Sequence, residues 1–224
     1  SPEGNVRDLI STFGNGILNL GDSLKYKIDS RLAKTIGLTS SIKENKDNFI
    51  NASTSKDKWV FKKLANGDST NIDINGASAN NVISILSGLT SGLQVNSTGT
   101  NTEKRLIFKE KPDSVNQAYE INTSLSFDTT SSSGNAGVFF RANKIDKNVS
   151  GYSYEISDCP SNPSNNKIVF VRWDKGQRTE IGSKPLPAGT NINSNMDLKI
   201  KVSGNQYTAY INGQEAMSNK DETY

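Results

Sequence analysis

Arg141, Glu155 and Arg172 each close or interrupt a short strand-like run, GVFFR, GYSYEI and IVFVRW. Their side chains are the types that hold a polar ligand. A guanidinium donates in a fork and a carboxylate accepts, which suits the paired hydroxyls of a sugar. Two guanidinia would also suit the carboxylate of an acidic sugar. Side chains alternate between the faces of a strand. Arg141 therefore shares a face with Gly137 and Phe139, and Glu155 shares one with Ser153. Arg172 falls with Ile168 and Phe170, and Trp173 with Val169 and Val171. If Arg141, Glu155 and Arg172 emerge on one concave sheet, they form a polar cluster. Trp173 and Tyr210 are then the aromatics placed to stack on a pyranose ring. The plainer alternative is that Arg141 and Glu155 make a cross-strand ion pair on a solvated face and that Trp173 packs. Asp158, next to the Asn-rich segment 162–166, is a weak calcium candidate. One carboxylate among amides is a thin oxygen set, so we expect no metal and no other cofactor.

Other residue types are missing, and that excludes whole chemistries. The 224 residues include no histidine and one cysteine, Cys159. Histidine-based triads, histidine zinc sites and an internal disulfide are thereby ruled out. Cleavage of a glycosidic bond asks for two placed carboxylates. Glu155 has serines, Ser153 and Ser157, two positions to either side, so we expect a binding protein and not an enzyme. The net charge is +3 and no basic block stands out, so no nucleic-acid partner is expected. The scattered lysines read as solubility and edge protection. No run of 18 apolar residues occurs and no secretory core is visible, so any membrane link would run through a removed N-terminal hydrophobic segment. Abundant Asn, Ser, Thr and Gly suits solvated turns and an extracellular, surface setting.

The elements that must carry these residues divide into two styles. Over residues 6–38, apolar residues recur mostly every three or four positions, the period of an amphipathic helix. Gly14, Gly16 and Gly21 weaken that helix, each by roughly 1 kcal/mol against alanine. From Trp59 the period becomes two. Residues 119–127 alternate apolar and polar, as in a half-buried antiparallel strand. Further strands follow near 137–142, 152–156, 168–173, 198–202 and 206–211. A hairpin turns through Ser203, Gly204 and Asn205, and a turn starts at Asn212-Gly213. The expected class is α+β: residues 1–80 as a long helix with a small antiparallel sheet, and residues 81–224 as an antiparallel β-sandwich of jelly-roll, lectin-like type. The boundary is expected near residue 80.

The ordered strings GVFFR, GYSYEI and AYING (209–213) resemble the concanavalin A-like lectin/glucanase families, and the laminin-G-like modules among them. That resemblance spans about residues 80–217. It implies a sandwich that binds or cuts carbohydrate on one sheet face. Glucanases of this class take their carboxylates from one strand, and no such string occurs here. The helix-then-strands order of the N-terminal part resembles type IV pilins with the hydrophobic half deleted. Modular minor pilins of Gram-positive bacteria combine such a helix with a lectin-like module. Together the resemblances imply a glycan-binding adhesin of a pilus, with host or environmental carbohydrate and other pilin subunits as partners. A structural or protein-binding module without sugar binding is one alternative, and a glucanase-like hydrolase is another.

Overall fold

The chain forms two antiparallel sheets in a computed structural model that describes residues 7–14, 16–20, 24–27, 44–47, 56–65, 67–71, 83–86, 92–97, 102–108, 118–127, 134–143, 147–158 and 163–224. The first sheet contains β1 (Arg7–Gly14), β5 (Trp59–Ala65), β6 (Asp68–Asn71), β9 (Thr102–Phe108), β11 (Gly134–Asn143), β12 (Ser150–Asp158), β13 (Lys167–Asp174) and β14 (Gln177–Pro185). Its strands lie in the order β14-β13-β12-β11-β1-β9-β5-β6. The second sheet contains β2 (Gly16–Leu20), β7 (Ile83–Leu86), β8 (Gly92–Ser97), β10 (Ala118–Phe127), β15 (Met196–Ser203), β16 (Gln206–Ile211) and β17 (Gln214–Lys220), in the order β17-β16-β15-β10-β2-β8-β7. Two short strands, β3 (Leu24–Lys27) and β4 (Glu44–Asp47), extend it beside β10.

Among the described residues there is no long N-terminal helix, and the fold is β rather than α+β. β1, β2 and β3 occupy the positions where the helical period was read. Gly14, Gly16 and Gly21 lie at or beside the breaks between these strands, where helix propensity is lowest and extended chain turns most easily. Pairing overrides the local period: β1 lies between β11 and β9, with Leu9 opposite both Phe139 and Ile107. Both sheets draw strands from the N-terminal third of the chain. The boundary expected near residue 80 lies outside the described residues, as does the rest of the expected long helix from residue 28 to 38. Among the described residues no helix is long and apolar enough to cross a membrane.

The sheets enclose an aromatic core. Tyr119, Ile121, Leu125 and Phe127 of β10 face Val138 and Phe140 of β11, Tyr152, Tyr154 and Ile156 of β12, and Ile168 and Phe170 of β13. Phe140, Tyr152, Tyr154, Phe170 and Tyr207 stack with ring centroids between 4.9 and 6.5 Å apart. Burial of the tyrosines is made tolerable by their hydroxyls. Tyr154 donates to the Tyr207 carbonyl and to Asn219, both at 2.9 Å, and Tyr152 donates to Asp221 at 2.5 Å.

The first sheet is also buried on its outer side. Phe139, Ala142, Val149, Val169, Val171 and Trp173 form a second cluster there, apart from the inter-sheet core. That accounts for the unbroken apolar run IVFV in β13, since a strand covered on both faces does not alternate.

Candidate functional site

The second cluster surrounds a set of charged groups, and the strand register explains how they meet. Glu155 lies opposite Gly137 on one side and Val169 on the other. Ser153 lies opposite Phe139 and Val171. A tight turn at Lys175-Gly176 joins β13 to β14, both residues taking positive φ (48° and 86°), as a two-residue hairpin of this kind requires. The turn sets Arg178 opposite Trp173, and so on the Glu155 side of the sheet. There Arg178 closes a forked pair on Glu155, Nη2 at 2.8 Å and Nε at 3.1 Å from Oε2. A second pair comes from β9, where Arg105 donates to Glu103 at 2.5 and 3.0 Å. The Arg105 guanidinium also lies 5.0 Å from the Phe139 ring centre and 5.4 Å from that of Trp173. Those two rings are 5.1 Å apart, and the Trp173 indole N–H donates to Ser153 at 2.9 Å.

The electrostatics of this face centre on Glu155, which is fully buried. Burial pushes its carboxyl up, Arg178 pulls it back, and the negative charges of Glu103 and Glu180 push it up again, to about 7. A carboxyl near neutrality can both take and return a proton at working pH. The pair opens toward solvent through Arg178, whose side chain is 27% exposed and also contacts Glu180 at 3.1 Å. The result is one proton-transfer group, two guanidinia and an aromatic wall on a single sheet face.

The residues singled out from sequence do not all meet there. Glu155 and Trp173 do. Arg141 does not, because a bulge interrupts β11: Phe140 pairs with Tyr152 and Asn143 with Ser150, so Arg141 and Ala142 together oppose Gly151. The bulge breaks the alternation. Ala142 joins the outer cluster, and Arg141, at φ 47°, turns to the inter-sheet side. There its guanidinium donates to the Gly204 carbonyl at 2.6 Å and lies 5.9 Å from the Tyr207 ring centre. Arg172 also sits on the inter-sheet side, opposite Tyr152, and its charge is met by Asp174 at 3.1 Å and Asp221 at 3.3 Å. Tyr210 is on the outer face of the other sheet, 5.9 Å from the Lys201 ammonium. The Asp158 side chain and residues 159–162 lie outside the described residues. Among the described residues no group of three or more Asp, Glu or Cys is placed to hold a metal.

Arg178, Glu103 and Arg105 were not found from sequence. The signal for Arg178 is the turn WDKGQR, in which Lys-Gly does the work more commonly done by Asn-Gly. Arg105 and Glu103 reach the site only through long-range pairing of β9, and nothing local announces that.

Residues 49–224 match the family model described as the 3-keto-alpha-glucoside-1,2-lyase-like domain. The chain belongs to this family. Its sandwich is of the concanavalin A-like, glucanase-related kind, so that part of the resemblance holds. The expectation of a protein without catalytic activity is corrected: the family is related to enzymes that act on 3-keto-glucosides. The sequence argument considered only two carboxylates on one strand; on this face the carboxylates come from different strands, Glu155 from β12 and Glu103 from β9. No curated protein and no solved structure matched the chain.

Proposed function

We propose that the chain is a carbohydrate-active lyase acting on a glucoside oxidised at C3, with Glu155 as its base. The observation that carries this is the buried Glu155 carboxyl, titrating at about 7 and forked to Arg178 on the outer face of the first sheet. In a 3-keto sugar the C2 hydrogen lies beside a carbonyl and is acidic. Glu155 takes that proton, and the C2–H electron pair moves to the C3 oxygen as an enolate. Arg178 meets the developing negative charge. The enolate then reforms the carbonyl, a C1–C2 double bond forms, and the C1–O bond breaks with its electrons leaving on oxygen. The departing oxygen gains one proton, which balances the one Glu155 took. Trp173 and Phe139 supply the apolar wall, and excluding water there strengthens the charge interactions.

Arg178 controls the base as well as the enolate. While it forks to Glu155 it lowers the basicity of the carboxylate. When the guanidinium turns to a substrate oxygen, Glu155 becomes a stronger base at the moment it is needed. General-base groups contribute roughly 100- to 10,000-fold to rate. Glu155→Gln should therefore lower turnover of a 3-keto-glucoside by at least 100-fold with an unchanged fold, read by the appearance of the enone chromophore. Turnover that survives in Glu155→Gln would remove the carboxylate from the mechanism.

A pilus setting depended on a helix over residues 6–38, and strands occupy the described part of that stretch. The proposal accordingly keeps carbohydrate as the partner and gives the chain no filament role. An extracellular setting remains part of it, supported by the Asn-, Ser- and Thr-rich composition.

A further inference from the structure

At the end of the sandwich where β14 finishes and β13 begins, residues 185–193 and the short helical turn Pro163–Asn165 border a cleft of about 330 Å³. That volume is in the range of small-molecule sites. Its walls are set locally. The Pro187 carbonyl accepts from both the N–H and the hydroxyl of Thr190, at 3.1 and 2.7 Å, and Gly189, at φ 82°, makes the turn between them. Ile192 is buried in the inter-sheet core, and its carbonyl accepts from the Phe127 N–H of β10 at 2.8 Å. The cleft is thus formed before any ligand arrives, which lowers the cost of binding. Its chemistry is narrow. None of the described residues lining it is charged or aromatic. Pro163, Pro185, Pro187 and Leu186 give it apolar surface. Two amides give it polarity. The Asn191 side-chain oxygen accepts from the Asn193 N–H at 3.0 Å, and the Asn193 side chain donates to the Phe127 carbonyl at 3.1 Å. Each amide is therefore anchored at one end, leaving an N–H donor on Asn191 and an oxygen acceptor on Asn193 with no partner among the described residues.

We propose that this cleft binds a neutral sugar residue, with Asn191 and Asn193 on its hydroxyls and the proline rings against its C–H face. A hydroxyl both donates and accepts, and so meets a fixed donor beside a fixed acceptor. An acidic sugar or a phosphate would ask for a cation, and a nucleobase for an aromatic ring to stack on; the described lining has neither. Register relates the cleft to Glu155. Glu155, Val169 and Ser183 lie in one row, and Ser157, Lys167 and Pro185 lie in the nearest row that faces the same way. Pro185, at the rim, therefore shares the face of Glu155. The two are roughly 12 Å apart, two strand spacings across and two residues along. A short oligosaccharide spans that distance. The sugar in the cleft is then the leaving part of a substrate whose 3-keto unit sits at Glu155. That link rests on the lyase reading, whereas sugar binding in the cleft does not.

The test titrates the whole isotope-labelled chain with maltohexaose, cellohexaose and laminarihexaose, and with polygalacturonate as the charged control. At least one neutral hexasaccharide should move the side-chain amide signals of Asn191 and Asn193, with an affinity that is the same at low and at high salt, because no charge is screened. Polygalacturonate should not move them. Ala188→Phe, which fills the cleft from an exposed position, should weaken binding roughly tenfold or more, about the loss of one good contact set. Asn191→Ala should weaken it severalfold, and both variants are checked for a normal unfolding curve. The proposal is overturned if none of the three hexasaccharides moves the amide signals, if the folded Ala188→Phe variant binds as well as wild type, or if polygalacturonate binds there more tightly. A second arm tests the link to Glu155. Ala188→Phe should raise KM for a 3-keto-disaccharide and leave KM for the methyl 3-keto-glucoside unchanged; an equal effect on both contradicts the link. Wild type that turns over neither compound would contradict the lyase reading, and the hexasaccharide titration would still decide the cleft.

Discussion

Glu155 occupies the space that a side chain on Gly137 would need. A Cβ built on Gly137 would lie 2.7 Å from the Glu155 Cγ and 2.3 Å from the Tyr154 carbonyl oxygen. The glycine of GVFFR is therefore the hole into which the buried carboxylate folds, and the two residues face each other across β11 and β12. Gly137→Ala must shift backbone as well as Glu155, because the nearer clash is with a carbonyl. Overpacking of this kind costs about 1–3 kcal/mol. We expect a loss of that size in urea unfolding, together with reduced turnover as Glu155 is displaced from Arg178.

The pH dependence of stability should carry the signature of Glu155. Its folded value, about 7, is above the ordinary 4.5, so between these values the folded state holds more protons than the unfolded chain. The contribution of Glu155 is fully favourable below pH 4.5 and is lost as pH rises through 7. A shift of this size corresponds to something on the order of 3 kcal/mol. The stability of wild type minus that of Glu155→Gln should fall by that order between pH 4.5 and 8. A difference that is flat with pH would show that the carboxyl titrates normally.

Asp221 should act in the opposite sense. It accepts from Tyr152 at 2.5 Å, from the Thr223 N–H at 2.9 Å and from Arg172 at 3.3 Å. Burial alone would raise its pKa, but these donors together hold it below the ordinary Asp value. With a depressed folded value, its contribution is present above the unfolded value and is lost as pH falls through the folded one. Asp221→Asn should cost about 1.5–3 kcal/mol at pH 7, the range for hydrogen bonds to a charged group. That deficit should shrink toward pH 3. Tyr152→Phe should reproduce part of the loss, since burial keeps the Tyr152 phenol neutral and donating.

Arg141 should behave as a clamp between the sheets. Arg141→Ala removes the 2.6 Å bond to the Gly204 carbonyl and the contact with the Tyr207 ring. We expect a stability loss of about 1–3 kcal/mol and unchanged turnover per folded molecule. A selective loss of turnover with normal stability would instead return Arg141 to the ligand.

Much of the sandwich was legible because its strands carry local signals. Residues 119–127 alternate, GYSYEI puts tyrosines on one side, and Ser203-Gly204-Asn205 and Asn212-Gly213 mark turns that the structure makes. Glu155 and Trp173 were placed on their true faces by alternation alone. Arg141 was not, because a bulge shifts parity by one and leaves no trace in composition. Residues 7–27 were misread because Leu9, Phe13, Ile17, Leu20 and Leu24 keep a helical spacing, while the glycines between them and the pairing partners far along the chain favour extension. Glu103 and Arg105 were invisible for the same reason: their meeting with β11 runs through β1, a contact between segments about a hundred residues apart.

The central claim is that Glu155 removes the proton at C2 of a 3-keto-glucoside, and proton exchange tests it most directly. In deuterated water, wild type should wash out the C2 hydrogen signal of a 3-keto-glucoside, or form product, at a rate that rises with pH through about 7. Glu155→Gln should leave that signal intact over the same period, with stability in the folded range. C2 exchange at wild-type rates in the folded Glu155→Gln variant would contradict the account.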